Sequence, residues 1–400
     1  MKNYQMNFTF LMVATVISAL GSYAFNFAFM AYIYDISGHN KSFMGLTQLF
    51  FVTGMLLGNI TAGPVGERSN RRNLLTLCEV IRIPLSIVFL LTNNIWALLL
   101  THGLKTIFAG ISTPCKRAFI NDIIPVENVA KANNIFSASY ALVHILGPLI
   151  GTWGYSYFKS IDNLVYFDIS TFIIAPALFM LIKIDHFKKF EHHSFIKDIQ
   201  DGISYVRKRF DLRGLYERHA LVGIFSGIVI PLILPFMHDV LGKGEKEYGV
   251  AMLIFGLGGL TGALLNKKVI SKFGLGKVLY FTSFIEPIFL LVWALGISYH
   301  VSQTVFYFWG VLFFIRVPSQ FSYLSHYVAK GYISRTNALL DFIFTLTNIS
   351  ASAIISILGD KVNTKELLVS CALIYAVINI FRIFAISSKE LLSPKAVMNE

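Results

Sequence analysis

Several charged or protonatable side chains of this chain stand inside long apolar runs, and its chemistry must lie with them. Glu286, followed directly by Pro287, is set well inside one such run. A carboxyl at that depth can take up and release a proton as its surroundings change. Lys105 and His144 stand at similar depth in the other half of the chain and could bind an anionic group or relay a proton. His102 precedes Lys105 by one helical turn, and Arg316 occupies a later apolar run. Glu79 and Arg82 are three apart, so they share one helical face and can pair directly, as a structural or gating lock or as substrate contacts. Each such group is costly in hydrocarbon unless it is paired or faces water. Against a functional role, an isolated histidine can simply satisfy a neighbouring carbonyl, and the helix carrying Glu286 can lie at the edge of a bundle. Asp168, Asp341 and Arg382 fall near helix ends, where side chains reach the membrane surface.

The elements that position these groups are helices in lipid. Hydrophobic residues make up 55% of the 400, charged residues 14%, and the mean hydropathy is +0.63, which one soluble core cannot absorb. A crossing needs about 20 apolar residues. Candidate spans fall near 8–34, 43–65, 74–92, 95–114, 134–158, 163–183, 219–239, 248–266, 278–298, 303–327, 337–358 and 366–387. The first is too long for a signal-peptide core and lacks a small-residue cleavage site, so it is expected to be retained. Lys and Arg concentrate in alternate loops, among them Arg68, Arg71, Arg72, Lys116, Arg117 and the stretch from Lys188 to Arg218. That asymmetry predicts both termini in the cytoplasm. The net charge of +12 follows from this topology, so nucleic acid is not an expected partner. Cys78, Cys115 and Cys371 show neither paired nor metal-ligand spacing and read as packing residues.

The polar stretch 184–218 divides the chain into 1–183, a six-helix N-terminal bundle, and 219–400, a six-helix C-terminal bundle with a short cytoplasmic tail. Within it Phe195, Ile196, Ile199, Ile203 and Val206 keep helical spacing, opposite Lys197, Asp198, Gln200 and Asp201. This predicts an amphipathic helix on the inner membrane surface. The fold class is therefore an all-α polytopic membrane protein with twelve transmembrane helices in two pseudo-symmetric bundles. Gly147-Pro148-Leu149-Ile150-Gly151 interrupts the fifth span. Pro148 bends a helix there, and Gly147 and Gly151 admit a close neighbour, as a rocking element or as a packing kink without coupling.

The run Gly63-Pro64-Val65-Gly66-Glu67-Arg68-Ser69-Asn70-Arg71-Arg72 resembles the loop after the second helix of major facilitator transporters. It departs at Glu67, where that family usually has Asp, and at Asn70, where it usually has Gly. A weaker copy, Gly262 with Asn266, Lys267 and Lys268, suggests an internal repeat. Ser18-Ala19-Leu20-Gly21, Pro114-Cys115-Lys116-Arg117-Ala118, Pro125-Val126-Glu127, Lys131-Ala132-Asn133, and Asp168 before Ser170-Thr171-Phe172 look like the drug:proton antiporter branch with macrolide and siderophore exporters. Leu234-Pro235-Phe236 and Tyr248-Gly249 continue the similarity. Ser22 stands where that branch often has Asp, and its fourth-span basic residue corresponds to His102 or Lys105. The bend from Gly147 to Gly151 is similar to the fifth-helix segment of its exporters.

The resemblance implies a secondary active transporter, with proton-coupled efflux of an amphipathic drug-like compound or siderophore by alternating access. It also implies a cytoplasmic gate at Gly63, Glu67, Arg68, Arg71 and Arg72, and placement in the cell membrane. A small-molecule substrate and the bilayer are the expected partners, a monomer the expected state, and the proton gradient replaces any cofactor. Neither a phosphate-binding glycine loop nor a nucleophile–base set accompanies these features, so an enzyme is not expected. Uptake symport, facilitated diffusion and a non-transporting polytopic receptor remain as alternatives. Tyr23, Phe25, Phe27 and Phe29, and Tyr307, Phe308, Phe313 and Phe314, either line a cavity for an amphipathic ligand or pack helices and face lipid.

Overall fold

The computed structural model describes residues 3–183 and 195–392, and among these residues it consists of helices and short connections. Twelve helices are long and apolar enough to cross a bilayer, as the sequence predicts. The first unit, Met1–Ser194, carries α1 (Asn3–Ile36), α2 (Lys41–Arg68), α3 (Arg71–Leu91), α4 (Ile95–Ile123), α5 (Val126–Phe158) and α6 (Asp162–Met180). The second, Phe195–Glu400, carries α7 (Phe195–Arg207), α8 (Phe210–Asp239), α9 (Glu245–Phe273), α10 (Leu275–Ala294), α11 (Tyr299–Tyr327), α12 (Ile333–Leu358), α13 (Thr364–Ile383) and α14 (Ile386–Leu392).

Short polar residues start these helices. Asn70 Oδ1 accepts from the Arg72 amide at 3.0 Å, Asn94 Oδ1 from Ala97 at 3.2 Å, and Asn363 Oδ1 from Lys365 at 2.9 Å. Each supplies an acceptor to a first-turn donor that has no partner within its helix. Gly274, at φ 79°, turns the chain from α9 directly into α10. Proline does not end the spans: α2 runs through Pro64 to Arg68, and α4 through Pro114 to Ile123. Two basic residues expected in loops are consequently inside. Lys116 on α4 is 4% exposed and Arg218 on α8, which begins at Phe210 rather than 219, is 5% exposed.

Both units repeat one packing pattern. In the first, α1 lies along α5, α2 along α4 and α3 along α6; in the second, α8 lies along α12, α9 along α11 and α10 along α13. Small residues set the close crossings. A Cβ at Gly110 of α4 would meet Gly58 and the Met55 carbonyl of α2, and one at Gly310 of α11 would strike the Phe255 carbonyl of α9. Such backbone approach is how membrane helices gain contact where the hydrophobic effect between them is weak. Large apolar side chains are exposed on the outside while several charges are buried inside, unlike in a soluble protein. Leu57, Ile173, Leu264 and Phe381 are exposed, whereas Glu79, Asp168 and Glu286 are buried.

The amphipathic stretch does not present its apolar face to lipid. Ile199, Ile203 and Val206 of α7 pack into a core with Leu212, Leu215, Leu339 and Leu340. Arg335 of α12 holds Asp198 at 3.2 Å and Asp201 at 3.4 Å. An apolar stripe is covered as well by a neighbouring helix as by a bilayer, and the opposite charges on α7 and α12 select the helix. The part of the expected linker from 184 to 194 lies outside the described residues.

Candidate functional site

In the first unit, α3, α4 and α6 bring five charges into one apolar interior. Glu79, fully buried, accepts from Lys116 Nζ on α4 at 2.9 Å, from Arg82 Nη1 one turn on at 2.9 Å, and from Ser18 Oγ on α1 at 2.9 Å. Arg82 Nη2 donates to Ser22 Oγ at 2.7 Å, and its guanidinium lies 4.0 Å from the centre of the Phe172 ring. Toward the other end of α3, Asp168 of α6 is ion-paired with Lys105 of α4 and accepts from Ser86 Oγ at 3.1 Å. Lys105 Nζ also sits 3.6 Å from the centre of the Phe25 ring, a cation–π contact worth about 2 kcal/mol when desolvated. With all five groups ionised, three cations face two carboxylates.

His102 is 2% exposed among Phe25, Phe29 and Phe51, and its Nδ1 makes no hydrogen bond. His144 stands apart on α5, exposed, with Tyr23 Oη 3.0 Å from its Nε2. Phe25 and Phe29 are fully buried, stack on each other and meet Phe89 edge to face, so they fill a core.

The second unit has a smaller cluster. Glu286 on α10 accepts from Arg316 Nε on α11 at 2.7 Å and from Tyr375 Oη on α13 at 3.0 Å. Glu286 and Arg316 are each 4% exposed, so the α10 helix is not at the margin as far as this side chain is concerned. Arg218 of α8 approaches from the side, against the carbonyls of Leu279 and Tyr280.

Glu79–Lys116 and Glu286–Arg316 occupy matching places in the two units. Each acid lies on the third crossing helix of its unit and each base on the fourth. Lys116 follows Gly110 by six residues, as Arg316 follows Gly310. Both glycines sit at a close helix crossing, so the same register carries each base to its acid. That Gly-x5-base repeat is the sequence signal for Lys116. The partners Ser18, Asp168, Arg218 and Tyr375 have no such signal, because they meet the cluster only through packing of separate helices.

The charge knot is helical up to Arg68, leaving Ser69 and Asn70 as the connection. Gly63 is exposed, and the Glu67 and Arg68 side chains lie outside the described set. Arg71 Nη1 donates to both carboxylate oxygens of Asp122 on α4, at 2.7 and 2.6 Å, and Arg72 Nη1 to the Ile182 carbonyl at 3.2 Å. In the copy, Asn266 Nδ2 donates to the Ile315 carbonyl at 2.8 Å, tying α9 to α11 without an acid. The neighbour admitted at the bend is α1: Cβ atoms at Gly147 and Gly151 would strike Tyr23 and the Ala24 carbonyl, while Thr152 Oγ1 donates to the Pro148 carbonyl at 2.9 Å.

Among the described residues, twelve helices long and apolar enough to cross a bilayer, with ion pairs buried inside each unit, define a polytopic membrane protein. The chain belongs to the Major Facilitator Superfamily, whose family model matches residues 11–346. It is 24% identical over 282 residues to the uncharacterized MFS-type transporter YkuC of Bacillus subtilis, covering 66% of this chain and 65% of that one. It is 22% identical over 279 residues to the staphyloferrin A transporter of Staphylococcus aureus, covering 66% of each. The matched part thus spans just under two thirds of the length of these relatives. Among solved structures, a bacterial homologue of the human lysosomal transporter Spinster has the same fold, with a TM-score of 0.74 at 14% identity over 97% of this chain and 98% of that one.

Proposed function

We propose that the chain is a secondary active transporter of the cell membrane that exports an amphipathic small molecule, drug-like or siderophore-type, in exchange for protons. The observation that carries this reading is the placement of Glu286. It joins α10 to α11 and α13 through Arg316 and Tyr375, inside helices of membrane-crossing length. A proton on Glu286 removes the charge that holds Arg316, so proton occupancy and helix contacts are tied together. Glu79 ties α3 to α1 and α4 in the same way. Alternating access converts such a tie into coupled movement of solute and proton. The direction rests on the Gly147 to Gly151 bend, which resembles that of exporters, and the substrate class on the similarity to a staphyloferrin A transporter. The Lys and Arg distribution supports termini in the cytoplasm.

The test is substrate-dependent proton movement in proteoliposomes, screened over macrolides, cationic dyes and siderophores. Counter-movement of protons is expected, and Glu286→Gln, compared at equal amounts of folded protein, should reduce it. Unchanged coupled transport in that variant removes Glu286 from the mechanism. Cells expressing the protein should accumulate less substrate than cells without it; greater accumulation assigns uptake instead.

A further inference from the structure

The Glu286 cluster carries more positive charge than the ion pair uses. Arg218 and Arg316 both line a small, partly open gap with Leu215, Val222, Glu286, Gln320 and Asn379, with a volume of about 10 Å3, room for about one water-sized atom. Arg218 is 5% exposed. Its Nη1 donates to the carbonyls of Leu279 at 3.2 Å and Tyr280 at 2.9 Å and to Ser283 Oγ, while its Nε and Nη2 have no hydrogen-bond partner. The rings of Tyr280 and Phe284 lie 4.9 and 5.8 Å from its guanidinium and offer only their faces. Arg316 gives Nε to Glu286 and leaves Nη1 without a partner. The nearby Arg382 has its own acid, Glu217, at 3.0 Å. Arg316 is thus paired with Glu286 while Arg218 meets only carbonyls and a hydroxyl, and donors are left over on both.

We propose that the second unit holds a binding site for a small monoanion, chloride or a single carboxylate group, between Arg218 and Arg316. A buried cation without a counter-charge is strongly disfavoured in a low-dielectric interior, and one anion restores neutrality. The planar forks of two arginines supply charge-assisted donors to a halide or a carboxylate oxygen, and both guanidinium groups are almost fully buried, which strengthens such bonds. The site exists whether or not Glu286 carries a coupling proton, since it is the excess of arginine that creates it.

The test is an equilibrium titration of the purified full chain in neutral detergent, with gluconate as the starting anion. Chloride or formate should raise the thermal unfolding midpoint saturably, by about 5 °C at a hundredfold excess over the dissociation constant. Arg218→Gln should abolish the shift. Glu286→Gln, which removes the carboxylate lining the gap and frees Arg316, should lower the half-saturating concentration about tenfold or more. Saturation by chloride alone identifies a free halide as the ligand; saturation by formate and by larger carboxylates identifies a carboxylate group. An absence of saturable shift in the unmodified protein overturns the proposal, as does an equal shift in Arg218→Gln. If Arg218→Gln does not fold, an unchanged half-saturation in Glu286→Gln overturns it instead. Loss of proton coupling with an intact anion shift would defeat the transport reading and leave this site standing.

Discussion

Glu79 offers the sharpest energetic test, because three donors from two other helices and its own converge on one fully buried carboxylate. Glu79→Gln preserves shape and one acceptor oxygen but strands Lys116 and Arg82 as cations in an apolar interior. Removing one partner of a buried pair costs about 3–5 kcal/mol. Lys116→Met is milder, since Arg82 and Ser18 still hold Glu79; losing one hydrogen bond to a charged group costs about 1.5–3 kcal/mol. In Glu79→Gln/Lys116→Met the unpaired lysine is gone, and the thioether stem fills part of its volume. The double variant should therefore be less destabilised than the sum of the singles, by a coupling of about 0.5–3 kcal/mol. Unfolding in lipid nanodiscs by denaturant, followed by tryptophan fluorescence, measures all four corners of the cycle. Additive losses would refute the claim that Glu79 and Lys116 form a pair, and a Glu79→Gln variant as stable as the parent would refute the buried-charge reasoning altogether.

Gly151→Val should place a side chain against the Ala24 carbonyl and force α5 away from α1, with a loss of about 1–3 kcal/mol or more, read as a lower unfolding midpoint. Asp122→Asn removes the bidentate partner of Arg71 at a partly exposed site, so stability should fall by only about 1 kcal/mol or less; if this contact belongs to a gate, transport rates will change far more than the unfolding midpoint. Arg335→Ala releases both acids of α7, and limited proteolysis should then cut 195–207 faster than in the unmodified protein, with no acceleration counting against docking of α7 on α12.

The internal repeat was only half legible in the chain. The copy of the charge knot at Gly262 to Lys268 points to it, yet the stronger correspondence is between Gly110–Lys116 and Gly310–Arg316, which reads as noise until the crossings of α2 with α4 and of α9 with α11 give both glycines the same job. The boundary of the fourth span illustrates the opposite difficulty. Pro114 reads as a stop, but a membrane helix can absorb a proline where its neighbours satisfy the freed carbonyl, and α4 continues for more than two turns. That continuation moves Lys116 from a loop to the centre of a charge cluster.

What the sequence by itself determined was local and compositional. Runs of about 20 apolar residues specify membrane helices wherever they occur, so the twelve spans could be counted. A three-residue spacing puts Glu79 and Arg82 on one face, so their pairing could be foreseen. Tertiary structure alone decided which charges meet across helices. Lys105 finds Asp168, Glu286 finds Arg316 and Tyr375, and Arg218 is left with carbonyls rather than an acid. Those partnerships depend on the rotation and register of one helix against another, which are set by small residues at each crossing and have no period along the chain.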